Sequence, residues 1–282
     1  MASKAVLITG CSTGIGRKTA EHLAGKGWTV YATARRPESI ADLEQKGCRT
    51  LALDVTDEAS MQAAVRAVEE AEGSVDALVN NAGIQELGAI ETVPIDRVRA
   101  LFETNVFGAA RLTQLVLPGM RNRGTGRIVT IGSMNGRFTW PGTGYYCASK
   151  HALEAISDAL RYEVRPFGID VVLIEPGFVK TPLGETAAQR RTDEDQGPYA
   201  SYNAAVADVA TSYTTGALGM LACTPEAVAK TVEKALSGDG RPRARYRVAP
   251  SAGLFMTTRK LLPDAAFDAL LRSRMPAPTR AE

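Results

Sequence analysis

Short apolar runs alternate along the chain with longer segments whose apolar positions recur every three or four residues. Residues 5–9, 29–34, 50–53, 77–80, 127–131 and 170–175 read as buried strands, with a last candidate at 245–249. The segments between them read as helices. Over 57–72, Met61, Val65 and Val68 fall on one face, and Thr56 is placed to cap that helix. Residues 105–123 and 146–164 give the longest helices; in the second, Leu153, Ile156, Leu160 and Val164 form an apolar stripe. Thr224-Pro225-Glu226 carries a cap residue followed by proline at the first helical position. Strands and helices in this alternation predict an α/β fold, a doubly wound parallel sheet flanked by helices, in one domain over residues 1–282.

Two stretches break the alternation. Residues 183–222 lack strand character and hold Tyr199, Tyr202 and Tyr213 among small residues. A connection of that length in a compact domain is usually functional, and a substrate lid is the expectation. Residues 240–282 form an Arg-rich and Pro-rich C-terminal arm with one helix expected over 263–274.

Composition narrows the possibilities. The chain has 282 residues, 45% of them hydrophobic, enough for one large core. A formal net charge of +2 implies neither a nucleic acid nor an anionic membrane as partner. No apolar run approaches the ~20 residues of a membrane span. Cys11, Cys48, Cys147 and Cys223 show neither metal-ligand nor redox spacing, and with two histidines no metal site is expected. Reduced thiols and the lack of a signal segment point to the cytoplasm.

Two motifs carry chemistry. Ala5-Val6-Leu7-Ile8 runs into Thr9-Gly10-Cys11-Ser12-Thr13-Gly14-Ile15-Gly16 and then into a helix starting near Arg17. Strand, glycine-rich turn and helix form the context of a phosphate loop, because backbone N–H groups and the helix dipole both favour an anion there. The second motif is Tyr146-Cys147-Ala148-Ser149-Lys150, with Ser133 upstream. Residues four apart share a helix face, so the phenol and the ammonium are neighbours. A nearby cation favours the phenolate and is expected to lower the tyrosine pKa toward neutrality.

Together these motifs resemble the short-chain dehydrogenase/reductase family. The resemblance extends through Leu53-Asp54-Val55, Asn80-Asn81-Ala82-Gly83, Asn105, Ser133, Tyr146 to Lys150, and Pro176-Gly177 with Thr181, in family order and spacing. The stretch Tyr146 to Glu154, with Thr9-Gly10-Cys11-Ser12 and Arg165-Pro166-Phe167-Gly168, is similar to the 17β-hydroxysteroid and retinol dehydrogenase branch. The resemblance implies hydride transfer between a nicotinamide and a carbonyl or alcohol. It implies Tyr146 as proton donor or acceptor, Lys150 as its partner and a ribose ligand, Ser133 as carbonyl ligand, and Asn105 as holder of a relay water. It implies a cofactor site of Gly10, Ser12, Thr13, Gly14, Ile15, Gly16, Arg17, Arg35, Asp54, Val55, Asn81, Ala82, Gly83, Tyr146, Lys150, Pro176, Gly177, Val179 and Thr181. A homodimer or homotetramer built on the helices at 105–123 and 146–164 is also implied.

An acid at the end of the second strand would bind a ribose 2′-OH and repel a 2′-phosphate. Ala34 stands there, followed by Arg35-Arg36, whose guanidinium groups suit a phosphate monoester. NADP(H) is therefore expected over NAD(H), with Arg35 the main phosphate contact and Arg17 a second. Thr13 stands where many NADP-dependent relatives carry a basic residue. Phe138, Trp140, Pro141 and Tyr145 lie between Ser133 and Tyr146 and predict an apolar wall for a steroid-, retinoid-, fatty- or aromatic-like substrate. The alternatives are a reductase of a small polar biosynthetic ketone and a non-catalytic NADP(H)-binding sensor.

Overall fold

A computed structural model describes residues 4–190, 197–213, 219–237 and 240–273. Seven strands form one parallel sheet: β1 (Ala5–Ile8), β2 (Thr29–Ala34), β3 (Cys48–Ala52), β4 (Ala77–Asn80), β5 (Gly126–Ile131), β6 (Ile169–Pro176) and β7 (Arg245–Val248). Their order is β3-β2-β1-β4-β5-β6-β7. The chain thus reverses direction across the sheet between β1 and β4, and a crevice opens beyond the carboxyl ends of these strands.

Both faces of the sheet are covered, which is why the strands read as continuous apolar runs. Val6 and Ile8 join one core with Leu23 of α1 (Gly14–Ala24) and with Val228 and Val232 of α8 (Pro225–Ser237). Ala5 and Leu7 point the other way, into a core with Val65 of α2 (Glu58–Glu72) and Leu112 and Val116 of α4 (Gly108–Arg123). The two-residue period of a strand divides these side chains between the layers.

The structure moves several expected boundaries. Asp57, not Thr56, caps α2, its carboxylate accepting the Ser60 N–H at 2.6 Å. Thr56 is already engaged, donating its N–H and hydroxyl to Asp54 Oδ1. Asn105 does not start a helix. It lies in a π-helical turn, Glu103–Phe107, that joins α3 (Ile95–Phe102) to α4 without a break. In α5 (Gly144–Glu163), Leu153 is buried as expected, but Ile156 is 37% exposed and stands off the buried face. The residues expected to form the lid include α6 (Leu183–Gln189) and α7 (Ala200–Ser212). Among its described residues the arm carries two helices where one was expected, α9 (Pro250–Leu261) and α10 (Asp264–Arg272); Arg274 lies outside the described residues. No described helix is long and apolar enough to cross a membrane.

Candidate active site

The turn after β1 is built to bring backbone close to a ligand. Gly10 adopts a left-handed φ of 71°, and a Cβ there would meet Ala82 Cα at 2.9 Å. A Cβ on Gly16 would fall 2.3 Å from Asn81 Nδ2. The hydroxyl of Thr9 accepts the N–H groups of both Asn81 and Ala82 at 2.9 Å, and Asn81 Nδ2 donates to the carbonyls of Thr9 and Gly10. The glycine loop and the turn after β4 are therefore one braced unit. At its head, α1 has no side-chain cap and no acid in its first turn. Its first N–H groups and the positive end of its dipole are left to an anion from outside the chain, so the cradle fits a dinucleotide diphosphate.

A cavity of about 830 Å³ runs along the carboxyl ends of the strands. Gly10, Ser12, Thr13, Gly14 and Ile15 line it, as do Arg35, Asp54, Val55, Asn81, Ala82 and Gly83. Pro176, Gly177, Val179 and Thr181 line it too. Gly16 and Arg17 are not on that lining. Gly16 is buried beneath the loop, where its lack of a side chain admits Asn81. Arg17 is turned to Asp42 and Glu21, which pair with its guanidinium. The expectation of Arg17 as a second phosphate ligand thus meets a side chain already engaged, whereas Arg35 stands exposed at the end of β2.

Ser133, Tyr146 and Lys150 line the same cavity, and all three are buried. Ser133 follows β5, and its Oγ accepts the Asn135 N–H at 3.1 Å. Tyr146 and Lys150 lie one turn apart on α5. Lys150 Nζ donates to the Ile131 carbonyl at 2.9 Å and lies 5.7 Å from the centroid of the Tyr146 ring. The expected lowering of the tyrosine pKa is reversed. Burial pushes the Tyr146 phenol well above its ordinary value, and its hydrogen bond with Ser133 offsets only part of that. Burial also draws the Lys150 ammonium down to about 8.

Asn105 sits behind this group rather than on the cavity wall. Its Oδ1 accepts the Ile84 N–H at 2.8 Å, and its Nδ2 donates to the Ile84 carbonyl and to Ser149 Oγ. A Cβ on Gly83 would come within 3.4 Å of Asn105 Oδ1 and 3.9 Å of Lys150 Nζ, so the three converge. The π-turn at Glu103–Phe107 supplies this placement, as such bulges often do at functional sites.

The remaining wall is mostly apolar. Trp140, Pro141, Phe178 and Leu183 line it, with Val206, Val209, Ala210 and Tyr213 from α7 and the turn after it. Of the residues expected to form the wall, Phe138 is instead buried behind it, in ring contact with Trp140, Phe255 and Phe267. Tyr145 turns its hydroxyl to the Ile90 carbonyl. The α7 residues on this wall fall inside the expected lid, and what the sequence left unspecified was the face, given by Val206, Val209, Ala210 and Tyr213 at helical spacing. Two roles had no sequence signal: Thr9, although it opens the glycine motif, braces the turn after β4, and the Ile131 carbonyl holds Lys150.

The family model for short chain dehydrogenases matches residues 4–192. The chain is 35% identical over 271 residues to the uncharacterized oxidoreductase YbbO of Escherichia coli (strain K12), covering 95% of this chain and 94% of that one. It is 34% identical over 275 residues to an NADPH-dependent 3-dehydrocapnine reductase of Ornithobacterium rhinotracheale, covering 93% and 94%. It is 41% identical over 197 residues to human 17-beta-hydroxysteroid dehydrogenase type 1, covering 66% and 60%. Among solved structures, a short-chain dehydrogenase from Streptomyces avermitilis superposes with a TM-score of 0.79 at 33% identity, covering 97% and 96%. A Burkholderia phymatum short-chain dehydrogenase/reductase in complex with NAD shares the fold, with a TM-score of 0.77 at 24% identity, covering 99% and 98%. With a family model over most of its length and full-length relatives above 30% identity, this chain belongs to the short-chain dehydrogenase family of oxidoreductases.

Proposed function

We propose that the chain is an NADP(H)-dependent oxidoreductase that interconverts a ketone or aldehyde with an alcohol on a hydrophobic substrate. The observation that carries this reading is one continuous cavity. The phosphate cradle, Ser133, Tyr146 and Lys150, and an apolar wall all line it. NADP(H), when bound, supplies or takes the hydride. The chain's residues handle the proton and the charge. In reduction the carbonyl oxygen becomes anionic, Ser133 donates a hydrogen bond to it, and Tyr146 delivers a proton. Lys150, held by the Ile131 carbonyl, fixes the cation beside the phenol and is placed to bind a ribose hydroxyl. Asn105, at the back of Lys150, is assigned to the water through which that proton is replaced.

The preference for NADP(H) rests on Arg35, exposed beside the cavity, and on Ala34, which offers a 2′-phosphate no repulsion. The name of the Ornithobacterium relative agrees with it, while a neighbouring fold binds NAD. Helices α6 and α7 act as the lid, and the C-terminal arm backs the aromatic wall through Phe255 and Phe267. Phe107, Ile156 and Tyr162, exposed on and beside α4 and α5, are the contact residues assigned to a homodimer or homotetramer.

The test is oxidation of NADPH, against NADH, over a panel of steroid, retinoid, fatty, aromatic and small polar ketones. NADPH-linked turnover on the apolar members supports the reading. Tight NADPH binding without turnover on any member would replace it with a nucleotide sensor.

A further inference from the structure

Beneath the catalytic group lies a cluster of charges that the reaction itself does not use. Glu175, 1% exposed, and Glu154, 6% exposed, are buried beside each other. Arg137 enters from the surface, with its Nε 3.1 Å from Glu175 Oε1 and 3.4 Å from Glu154 Oε2. Arg245 of β7 reaches Glu154 at 2.9 Å, Glu175 at 3.8 Å and Asp158 at 2.6 Å, and Arg247 reaches Glu175 at 3.9 Å. Burial and the neighbouring Glu175 hold the Glu154 carboxyl above its ordinary range, while Arg245 and Arg137 oppose that shift.

The cluster's chain positions give it meaning. Arg137 ends the turn Met134–Gly136 that follows Ser133. Glu154 is one helical turn beyond Lys150 on α5. Glu175 directly precedes Pro176 and Gly177 on the cavity wall. Each segment that presents a reacting group or the nicotinamide wall therefore sends one charged side chain back to a common point. Gly136 shows how close the packing is, since a Cβ there would lie 2.9 Å from the Lys150 carbonyl and 3.0 Å from Glu154 Cγ.

We propose that Arg137 is a positioning residue, which through Glu154 and Glu175 holds the Ser133 turn, the Tyr146–Lys150 helix and the Pro176–Gly177 turn in register. The inference rests on the oxidoreductase reading. A buried ion pair is weak evidence for stability, so its use here is registry among three segments.

The test compares Arg137→Met, Arg137→Lys and the double variant Arg137→Met/Glu154→Gln, which restores the charge balance. Measured for each are kcat, KM, NADPH affinity by fluorescence, Tm, and amide hydrogen exchange at 132–136 and 177–179. The expected result for Arg137→Met is a kcat at least tenfold lower with NADPH affinity within threefold, and faster exchange in both turns. Arg137→Lys should recover part of kcat, and the double variant should recover Tm but not kcat. An unchanged kcat, or a kcat that returns with Tm in the double variant, would overturn the proposal. If the wild type turns over no ketone, the reductase reading fails, and the exchange data alone decide the role of Arg137: unchanged exchange in Arg137→Met overturns it.

Discussion

The ammonium of Lys150 lies 5.7 Å from the ring centroid of Tyr146, yet its hydrogen bond goes to the Ile131 carbonyl. The phenol is left in a buried site that favours its neutral form. That form is the proton donor needed for reduction. Reduction should run at a level rate through neutral pH and decline as Lys150 loses its charge above about 8. Oxidation needs the phenolate beside the charged ammonium, so its rate should climb through neutral pH and level off above about 8. Profiles of kcat against pH in both directions check this; oxidation that slows between neutral and alkaline pH would contradict it.

The same lysine costs the fold stability. Its pKa is about 8 in the folded chain, against about 10.4 when unfolded. Between those values the unfolded chain binds more protons, so stability rises with pH through that window, and below it the full desolvation cost remains. That cost is about 3 kcal/mol, offset by about 1 kcal/mol from the bond to Ile131. Lys150→Met should therefore stabilise the chain by about 2 kcal/mol at neutral pH while abolishing most activity. Denaturant midpoints at neutral pH and above pH ~10 check it, the gain shrinking at the higher pH.

Arg35 should carry the discrimination between cofactors. Arg35→Ala removes the guanidinium beside the cavity and should raise the KM for NADPH by roughly 10- to 100-fold, the worth of charge-assisted hydrogen bonds. The KM for NADH should stay within about twofold. Adding Ala34→Asp should reverse the preference, because the new carboxylate binds a 2′-OH and repels a 2′-phosphate. Initial rates with both cofactors report the change.

Asn203 anchors α7, the helix assigned to the proposed lid. It is 1% exposed; its Oδ1 accepts the Ala89 N–H at 2.8 Å and its Nδ2 donates to Thr92 Oγ1 at 3.0 Å. It lies on the face of α7 that further along presents Val206, Val209 and Ala210 to the cavity. Asn203→Leu keeps the burial but loses both bonds. The KM for bulky apolar ketones should rise by about tenfold, with NADPH binding unchanged, as expected for about 1–2 kcal/mol of lost hydrogen bonding. Substrate titrations with ketones of graded size test it.

Asp57→Ala removes the cap of α2 at a residue that does not line the cavity. It should cost about 1 kcal/mol of stability and leave kcat unchanged. Denaturant unfolding and a rate assay on the same preparation decide the point.

The sheet was legible because both its faces are buried, so each strand is a near-continuous apolar run. The glycine loop was legible because Gly10 must take a left-handed φ, and the proposed catalytic pair because helical period puts Tyr146 and Lys150 on one face. What escaped depends on contacts distant in sequence. Thr56 and Asp57 are both good caps, and only the bond from Thr56 to Asp54 shows which one is free. Arg17 meets Asp42 across 25 positions, a pairing without local trace. The direction of the Tyr146 shift is set by its burial, while Lys150 donates its hydrogen bond to the Ile131 carbonyl. The helix α9 begins at Pro250-Ser251, which reads as a turn, while its buried residues Ala252 and Met256 are too few to announce a helix.

The central claim is that Tyr146 passes the proton while hydride moves between NADP(H) and a carbonyl. The most direct measurement is single-turnover oxidation of bound NADPH by the best ketone of the panel, in the wild type and in Tyr146→Phe. The account predicts that NADPH binds both proteins with similar affinity and that the variant loses at least a hundredfold in rate, the lower bound for general acid catalysis. Equal single-turnover rates in the two proteins would contradict it.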